Sequence, residues 1–597
     1  MPGIAAILGR GSENPERELE IMLARLKGRN DGVHRFAAAG AEIRAGWVGP
    51  DDGSRDGGTA VSPVSGSVLL FEGEHFPPTA GPRDAGRFET ILEMYERSGK
   101  DFPRGLNGFF HGLVIDGRSP KATLFNDRFG MRRLYYHEAP GVVYVATEAK
   151  AILAVRPELR SFDTRSLGEW LGSGAVLDDR TLFTGIGALP AGSLWTRHPD
   201  GSWDRRAYFS SKEWEDQEKL GAGAYYEALS RAFPGILARY LDPRGPTGLS
   251  TTGGLDTRLI LAHLGDRAER VRCYSFCGPY RENLDVTIGR KAARIAGCPH
   301  TTLRIEPDLY ARFEELAKRT ISATDGNLDL TGVANLYMCE KSLEVSPIRL
   351  TGNYGSEVLR GTRTFGMNAS IARVLSPDGA KSVAEAAARI PGEPEGHPLT
   401  FILFKQVPWY SYNRLQMEES ATIMRSPYMD NELLGLVYRA PAMPASGGDI
   451  SLRLISDGNK RLGALPTDRG LAYPKGLWTP VIRAYCETLF RLEYLANYGM
   501  PRRLARLDRK LGPFSLETLF LGRHKYYHLR KWFRDELSGF VRDVALDPKT
   551  LSRDYLDGPA ARAAIERHLA GDENHTVAIN KIVSLELTRR LILDSGS

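Results

Sequence analysis

Between residues 247 and 305 the sequence alternates short apolar runs with amphipathic stretches of helical period, and this alternation leaves the chain few folds. TGLSTT (247–252) reads as a short buried strand and DTRLILAHLG (256–265) as a helix. VRCYSFCG (271–278) reads as a strand, LDVTIGRKAARIAG (284–297) as a helix, and HTTLRI (300–305) as a strand. Strands separated by helices predict a parallel sheet with helices on both faces. Ligands of such open sheets bind at the carboxyl ends of the strands. The first strand-to-helix turn is therefore the place to look for chemistry.

That turn is STTGGLDTR, Ser250 to Arg258. A helix start leaves backbone N–H groups unpaired and carries partial positive charge. Gly253 and Gly254 let a ligand approach the backbone closely. The hydroxyls of Thr252 and Thr257 can donate to phosphate oxygens, so the turn reads as an anion cradle. Asp256 would repel phosphates unless it held a Mg²⁺ that bridges to them. The GKS ending of a P-loop is missing. The competing reading is an ordinary turn with Asp256 capping the helix.

The 597 residues exceed one hydrophobic core, so two to four domains are expected. The first two hundred or so read as short strands and turns, among them SVLLFEGE, FFHGLVID, ATLFNDRFG and GVVYVATE, with an amphipathic helix over 85–98. LPAGSLWTRHPDGSWDRRAYF closes this part as a hairpin, and helical patterns dominate beyond Pro377. Net charge is only +6, which does not point to nucleic acid. No apolar run is long enough to span a membrane, and the first residues lack a basic leader, so a cytoplasmic setting is expected. Five cysteines without metal-ligand spacing fit a reducing compartment. Cys273 and Cys277 lie four apart on one strand and read as core or pocket-wall thiols.

Several motifs stand in an order that resembles the asparagine synthetase superfamily of ATP pyrophosphatases. TGGLDTR resembles its SGGLDS pyrophosphate loop, and FNDRFGMRRLYY, Phe125 to Tyr136, resembles ARDRFGIKPLYY. ATEAKAIL, LFTGIGALPAGSLW and RSPYMDNELL (Arg425 to Leu434) match further segments. TGNYGSEVLRG, Thr351 to Gly361, sits where SGEGADELFGG would be. The resemblance implies an N-terminal Ntn-hydrolase-like α/β/β/α sandwich over 1–210, of glutaminase type. It implies a parallel-sheet, HUP-like ATP pyrophosphatase (synthetase) domain with a helical C-terminal part over 211–597. It also implies ATP and Mg²⁺, with Asp256 and Glu357 as metal ligands. Thr251, Thr252, Gly253, Gly254, Asp256, Thr257, Cys277, Thr351 and Gly352 would surround the nucleotide, Thr251 and Cys277 walling the adenine.

Departures from the family pattern bear on activity. Pro2 replaces the nucleophilic cysteine, and no cysteine precedes Cys273. Glu72, in FEGE, replaces the oxyanion-hole asparagine and would repel a developing oxyanion. Glutamine hydrolysis is therefore not expected. In the 351–361 loop Asn353 and Ser356 stand at acidic positions, and only Glu357 keeps its carboxylate. Arg469 occupies roughly the place of the family's catalytic lysine, with Lys475 nearby as the better proton carrier.

The expected function is an AMP-forming amide ligase that activates a carboxylate for attack by an amine or ammonia, without its own glutaminase. Family members lacking the cysteine include β-lactam synthetases and lasso-peptide cyclases. The substrate would be a small-molecule, glycan or peptide carboxylate. Two other readings stay open, a non-catalytic partner protein and an ammonia-dependent asparagine synthetase; so does a homodimer. The segment LFLGRHKYYHLRKWFRDEL, Leu519 to Leu537, reads as one amphipathic helix with aromatic residues inward, the alternative being contact with an anionic membrane surface. His524 and His528 lack the glutamate of a zinc motif.

Overall fold

The computed structural model describes residues 3–28, 31–37, 42–50, 57–78, 87–243, 245–390, 396–441, 449–474, 479–496, 500 and 502–594. Two six-stranded antiparallel sheets come first. The first runs in the order Gly187–Ala188, Tyr135–Ala139, Val142–Ala146, Gly3–Gly9, Ile43–Gly49, Gly32–Ala37. The second runs Trp203–Ala207, Ser193–Arg197, Ala122–Asn126, Phe110–Ile115, Val68–Gly73, Gly58–Val61. The expected closing hairpin is present, with Ser193 opposite Ala207 and Arg197 opposite Trp203.

Side chains alternate across each strand, and both faces of the central strands are covered, so Gly3–Gly9, Phe110–Ile115, Ala122–Asn126 and Val142–Ala146 are buried throughout while the edge strands Gly32–Ala37 and Trp203–Ala207 are partly exposed. Ile4, Ala6 and Leu8 point toward the second sheet and pack with Leu70, Leu113 and Leu124. Ala5 and Ile7 point the other way, onto Leu19, Met22 and Leu23 of the Pro15–Leu26 helix. Phe71, Phe110 and Phe125 cover the outer face of the second sheet together with Ile91 and Leu92 of the Arg87–Ser98 helix. The result is an α/β/β/α sandwich.

The expected alternation then follows as helix Ala222–Tyr240, strand Thr247–Ser250, helix Asp256–Ala262, strand Val271–Cys277, helix Leu284–Ala296 and strand His300–Arg304. These strands belong to a parallel five-stranded sheet ordered His300–Arg304, Val271–Cys277, Thr247–Ser250, Ile348–Leu350, Ile423–Arg425. The last strand lies within a region whose sequence pattern is dominated by helices. Its three residues are too few to show a period against those neighbours.

Beyond residue 377 the chain is mostly helical and wraps the sheet. The single helix expected over Leu519–Leu537 is instead two short ones, Leu516–Phe520 and Leu529–Arg534. Gly522 between them has φ +73°, which breaks helical continuation. Trp532 and Phe533 are buried, in line with the inward-packing reading. No helix among the described residues is long and apolar enough to cross a membrane.

Candidate functional site

The parallel sheet is built outward in both directions from Thr247–Ser250. The strand order reverses between this strand and Ile348–Leu350, which opens a crevice at their carboxyl ends. A cavity of about 730 Å³ lies there. Seven of the sequence-predicted residues line it: Thr251, Thr252, Asp256, Thr257, Thr351, Gly352 and Glu357. They come from two loops about a hundred positions apart in sequence, one after each strand.

The other predicted residues stand elsewhere, each for a visible reason. The Gly253 N–H donates to Asp285 Oδ1 at 2.7 Å, and the Gly254 N–H to Thr252 Oγ1 at 3.3 Å. The two amides expected to face phosphate are thus satisfied within the chain. Gly253 is a glycine for packing, since a Cβ there would lie 2.9 Å from the Asp468 Cβ. The Cys277 thiol bonds the carbonyls of Gly278 and Arg281, away from the cavity lining. Arg469 pairs with Glu487 at 2.7 Å and stacks 3.3 Å over Phe490, so its charge is directed at the Thr479–Tyr494 helix. Lys475 and Pro2 lie outside the described residues.

Asp256 opens its helix but does not cap it, because its side chain turns back to the second loop. Both carboxylate oxygens accept from Arg360, Oδ1 at 2.7 Å and Oδ2 at 3.0 Å. Close approach of the loops makes the pair geometrically available. A Cβ on Gly355 would lie 2.7 Å from Asp256 Cγ, and one on Gly352 would lie 2.8 Å from the Thr257 nitrogen. Tyr354, between these glycines, is held at φ +71°, a conformation a bulky residue keeps only when its surroundings impose it. Burial pushes the Asp256 carboxyl above its ordinary value, and the Arg360 contact opposes this only in part. Glu357 is likewise raised by burial, while its Oε2 accepts from the Ser356 hydroxyl at 2.7 Å.

A Mg²⁺ at this position needs six oxygen ligands with near-ideal geometry. Asp256 has both oxygens committed to a guanidinium, and Glu357 is the one further carboxylate the loop offers. Mg²⁺ is usually held by one or two carboxylates together with waters and substrate phosphates, and with Asp256 committed to Arg360 only Glu357 remains on the two loops for that role. The donor set does not fit a protein-held Mg²⁺.

The wall opposite the loops comes from the helical half and carries no signature in the sequence motifs. Tyr410, Arg414, Tyr494, Lys525, Tyr526 and Tyr527 line it. Arg414 is exposed to the cavity and makes no hydrogen bond or ion pair among the described residues. Lys525 Nζ lies 4.3 Å from the Tyr494 ring centre. Burial pushes this lysine down to about 8, the Glu493 carboxylate opposing the shift. Deeper in, Arg349 pairs with Glu418 at 3.3 Å, and Lys581 donates to the Trp170 and Leu171 carbonyls. The one sequence hint was the basic–aromatic run containing Lys525–Tyr527.

In the sandwich half, the position expected to repel an oxyanion is held by an imidazole and a guanidinium. Glu72 lies 2.9 Å from His111 Nε2 and 3.1 Å from Arg132, whose other nitrogen donates to Glu419 at 2.8 Å. Burial would raise the Glu72 carboxyl, but His111 and Arg132 hold it below its ordinary value. The carboxylate is therefore a charged structural anchor, with no donor to offer an oxyanion. Close by, Glu74 and Arg425 form a buried two-bond pair, Oε2 to Nε being 2.7 Å. The gap beside it measures about 20 Å³, room for little more than one water.

Residues 83–209 match the model of the glutamine amidotransferase domain family. Asparagine synthetase [glutamine-hydrolyzing] 1 of Bacillus subtilis is 20% identical over 283 residues, covering 46% of this chain and 43% of that protein. Amidase chyE of Penicillium rubens is 25% identical over 306 residues, again 46% and 43%. The chain thus spans less than half the length of these curated relatives. Among solved structures, glutamine phosphoribosylpyrophosphate amidotransferase from B. subtilis, complexed with ADP and GMP, aligns with a TM-score of 0.25 at 11% identity, over 50% of this chain and 90% of that one. The sequence similarities bear out the resemblance to the asparagine synthetase-like, class II amidotransferase-like superfamily.

Proposed function

We propose that the protein is an amide ligase that uses ATP to activate a carboxylate as an acyl-adenylate, releases pyrophosphate, and passes the acyl group to an amine or ammonia without hydrolysing glutamine. The single observation that carries this reading is the convergence of Thr251, Thr252, Asp256, Thr257, Thr351, Gly352 and Glu357 on one cavity that also presents Arg414 and Lys525. In this reading the Thr252 and Thr257 hydroxyls donate to phosphate oxygens. Arg414 and Lys525 face the substrate carboxylate and keep it beside the α-phosphorus. Lys525, lowered to about 8, takes the proton from the attacking amine. Glu357, raised by burial, is the second group placed to carry a proton. Arg469, which pairs with Glu487, is assigned no step in this reading. Lys475 keeps its proposed role on sequence grounds alone.

Residues 1–210 then form an inactive glutaminase-like half and 211–597 the ligase half, working in the cytoplasm, where the five unpaired cysteines stay reduced. The test is pyrophosphate and AMP release with pools of sugar acids, amino acids and peptides, ammonium being supplied. Release with at least one carboxylate, and no glutamate formed from glutamine, is the expected result.

A second reading, a non-catalytic partner protein, is favoured by the internal occupation of the loop by Asp285 and Arg360. No pyrophosphate from any pool, together with no ATP-induced thermal shift, would establish it in place of the ligase.

A further inference from the structure

The ion pair between Asp256 and Arg360 conflicts with the metal expected from the sequence, and the conflict has a chemical meaning. A carboxylate beside a triphosphate must be neutralised, by a divalent ion or by something else. Here the counter-charge is covalently part of the chain. Arg360 ends the Gly355–Arg360 helix, and its side chain is only 14% exposed. Asp256 lines the cavity and Arg360 does not. The remaining guanidinium N–H groups make no hydrogen bond among the described residues. Gly352 and Gly355 bring the two loops so close that larger side chains there would collide with Asp256 or Thr257. Ser356 supplies a hydroxyl, which Glu357 uses, where a second acid would have completed a metal site.

We infer that Arg360 replaces a protein-held divalent metal at this loop, so that the site receives a triphosphate or pyrophosphate group with Asp256 already cancelled by a resident guanidinium. Guanidinium pairs carboxylates in a fixed two-bond geometry and stays charged at every physiological pH, so it serves as a permanent counter-ion. The cavity face of the loop is then close to neutral at Asp256, with hydroxyls left to donate to phosphate. The inference rests on the nucleotide reading of the cavity given above.

Binding of ATP and of inorganic pyrophosphate to the full chain tests it, measured by isothermal titration calorimetry in EDTA and in excess Mg²⁺. The wild type should bind each ligand within about threefold in the two conditions. Arg360→Ala bares the Asp256 charge and should weaken metal-free binding by about tenfold or more. Adding Asp256→Asn to that variant should recover metal-free binding, an electrostatic rescue that a merely structural pair would not produce. Arg360→Lys, which keeps the cation, should stay nearer the wild type than Arg360→Ala. If Arg360→Ala fails to fold, the Lys variant and the double variant carry the comparison. Binding of Mn²⁺ alone by the wild type at this site, read by electron paramagnetic resonance and lost in Asp256→Asn, would overturn the inference. So would wild-type binding that needs Mg²⁺ by tenfold or more, with the ligase reading left standing. No binding in either condition would retire the ligase reading and this inference together.

Discussion

At the scale of single residues, one buried ion pair joins the two halves of the molecule. Arg425 and Glu74 come from positions far apart in sequence and are both buried. Breaking a buried pair strands the remaining charge, so Arg425→Ala should destabilise the protein by about 3–5 kcal/mol, read as a lowered denaturation midpoint. Lys525 offers a test of catalysis. As a base with a value near 8, it should make amide formation rise as pH passes through that value, and Lys525→Met should remove that limb of the profile. Arg414→Gln should raise KM for the carboxylate by about tenfold or more while leaving the ATP KM near its original value. Equal loss in both constants would instead place Arg414 at the nucleotide.

At the scale of elements, the motifs that stand out in the sequence turn out to organise loops and seams. In FNDRFGMRRLYY, the Asp127 carboxylate accepts from the backbone N–H groups of Phe129, Met131 and Arg132 and so shapes the turn. Arg132 and Arg133 leave that turn to reach Glu419 and the Pro408 carbonyl in the other half. In RSPYMDNELL, Asp430 caps the Asn431–Val437 helix and accepts from Asn107 across the seam. The hydroxyl–glycine turn is held by Asp285, from the start of the Leu284–Ala296 helix. Burial pushes Asp285 up to about 7. Its folded value exceeds the ordinary 3.8, so its contribution to stability is full at low pH and is lost as pH rises toward and through 7. Asp285→Asn cannot titrate, so its melting temperature relative to wild type should improve between pH 5 and pH 8. A constant difference across that range would show that the carboxyl does not titrate with folding.

At the scale of the whole molecule, the sandwich and the parallel-sheet half share their cores. Residues of the outer face of the second sheet cluster with those of the Ala222–Tyr240 and Asn431–Val437 helices, and Lys581 reaches from the C-terminal helix to the carbonyls of Trp170 and Leu171. A chain cut to 211–597 would bare these apolar faces, remove Glu74 from Arg425 and remove the Trp170 and Leu171 carbonyls from Lys581. It should be insoluble, and the intact chain should melt in one cooperative calorimetric transition. The sandwich half is thus bound into the fold that shapes the cavity.

Local period and turn chemistry in the sequence determined the strand–helix alternation, the place of the crevice and the residues of its first loop, while the second loop was implied by the family resemblance. These are short-range properties, set by side-chain spacing and by where hydroxyls and glycines fall. Only the tertiary structure decided what those residues do to one another. The Asp256–Arg360 pair spans more than a hundred positions, the wall joins Arg414 of one helix to Lys525 of a distant loop, and Glu72 is read as an anchor only once His111 and Arg132 are seen beside it. Electrostatic meaning depends on distance through space, and spacing along the chain does not carry it.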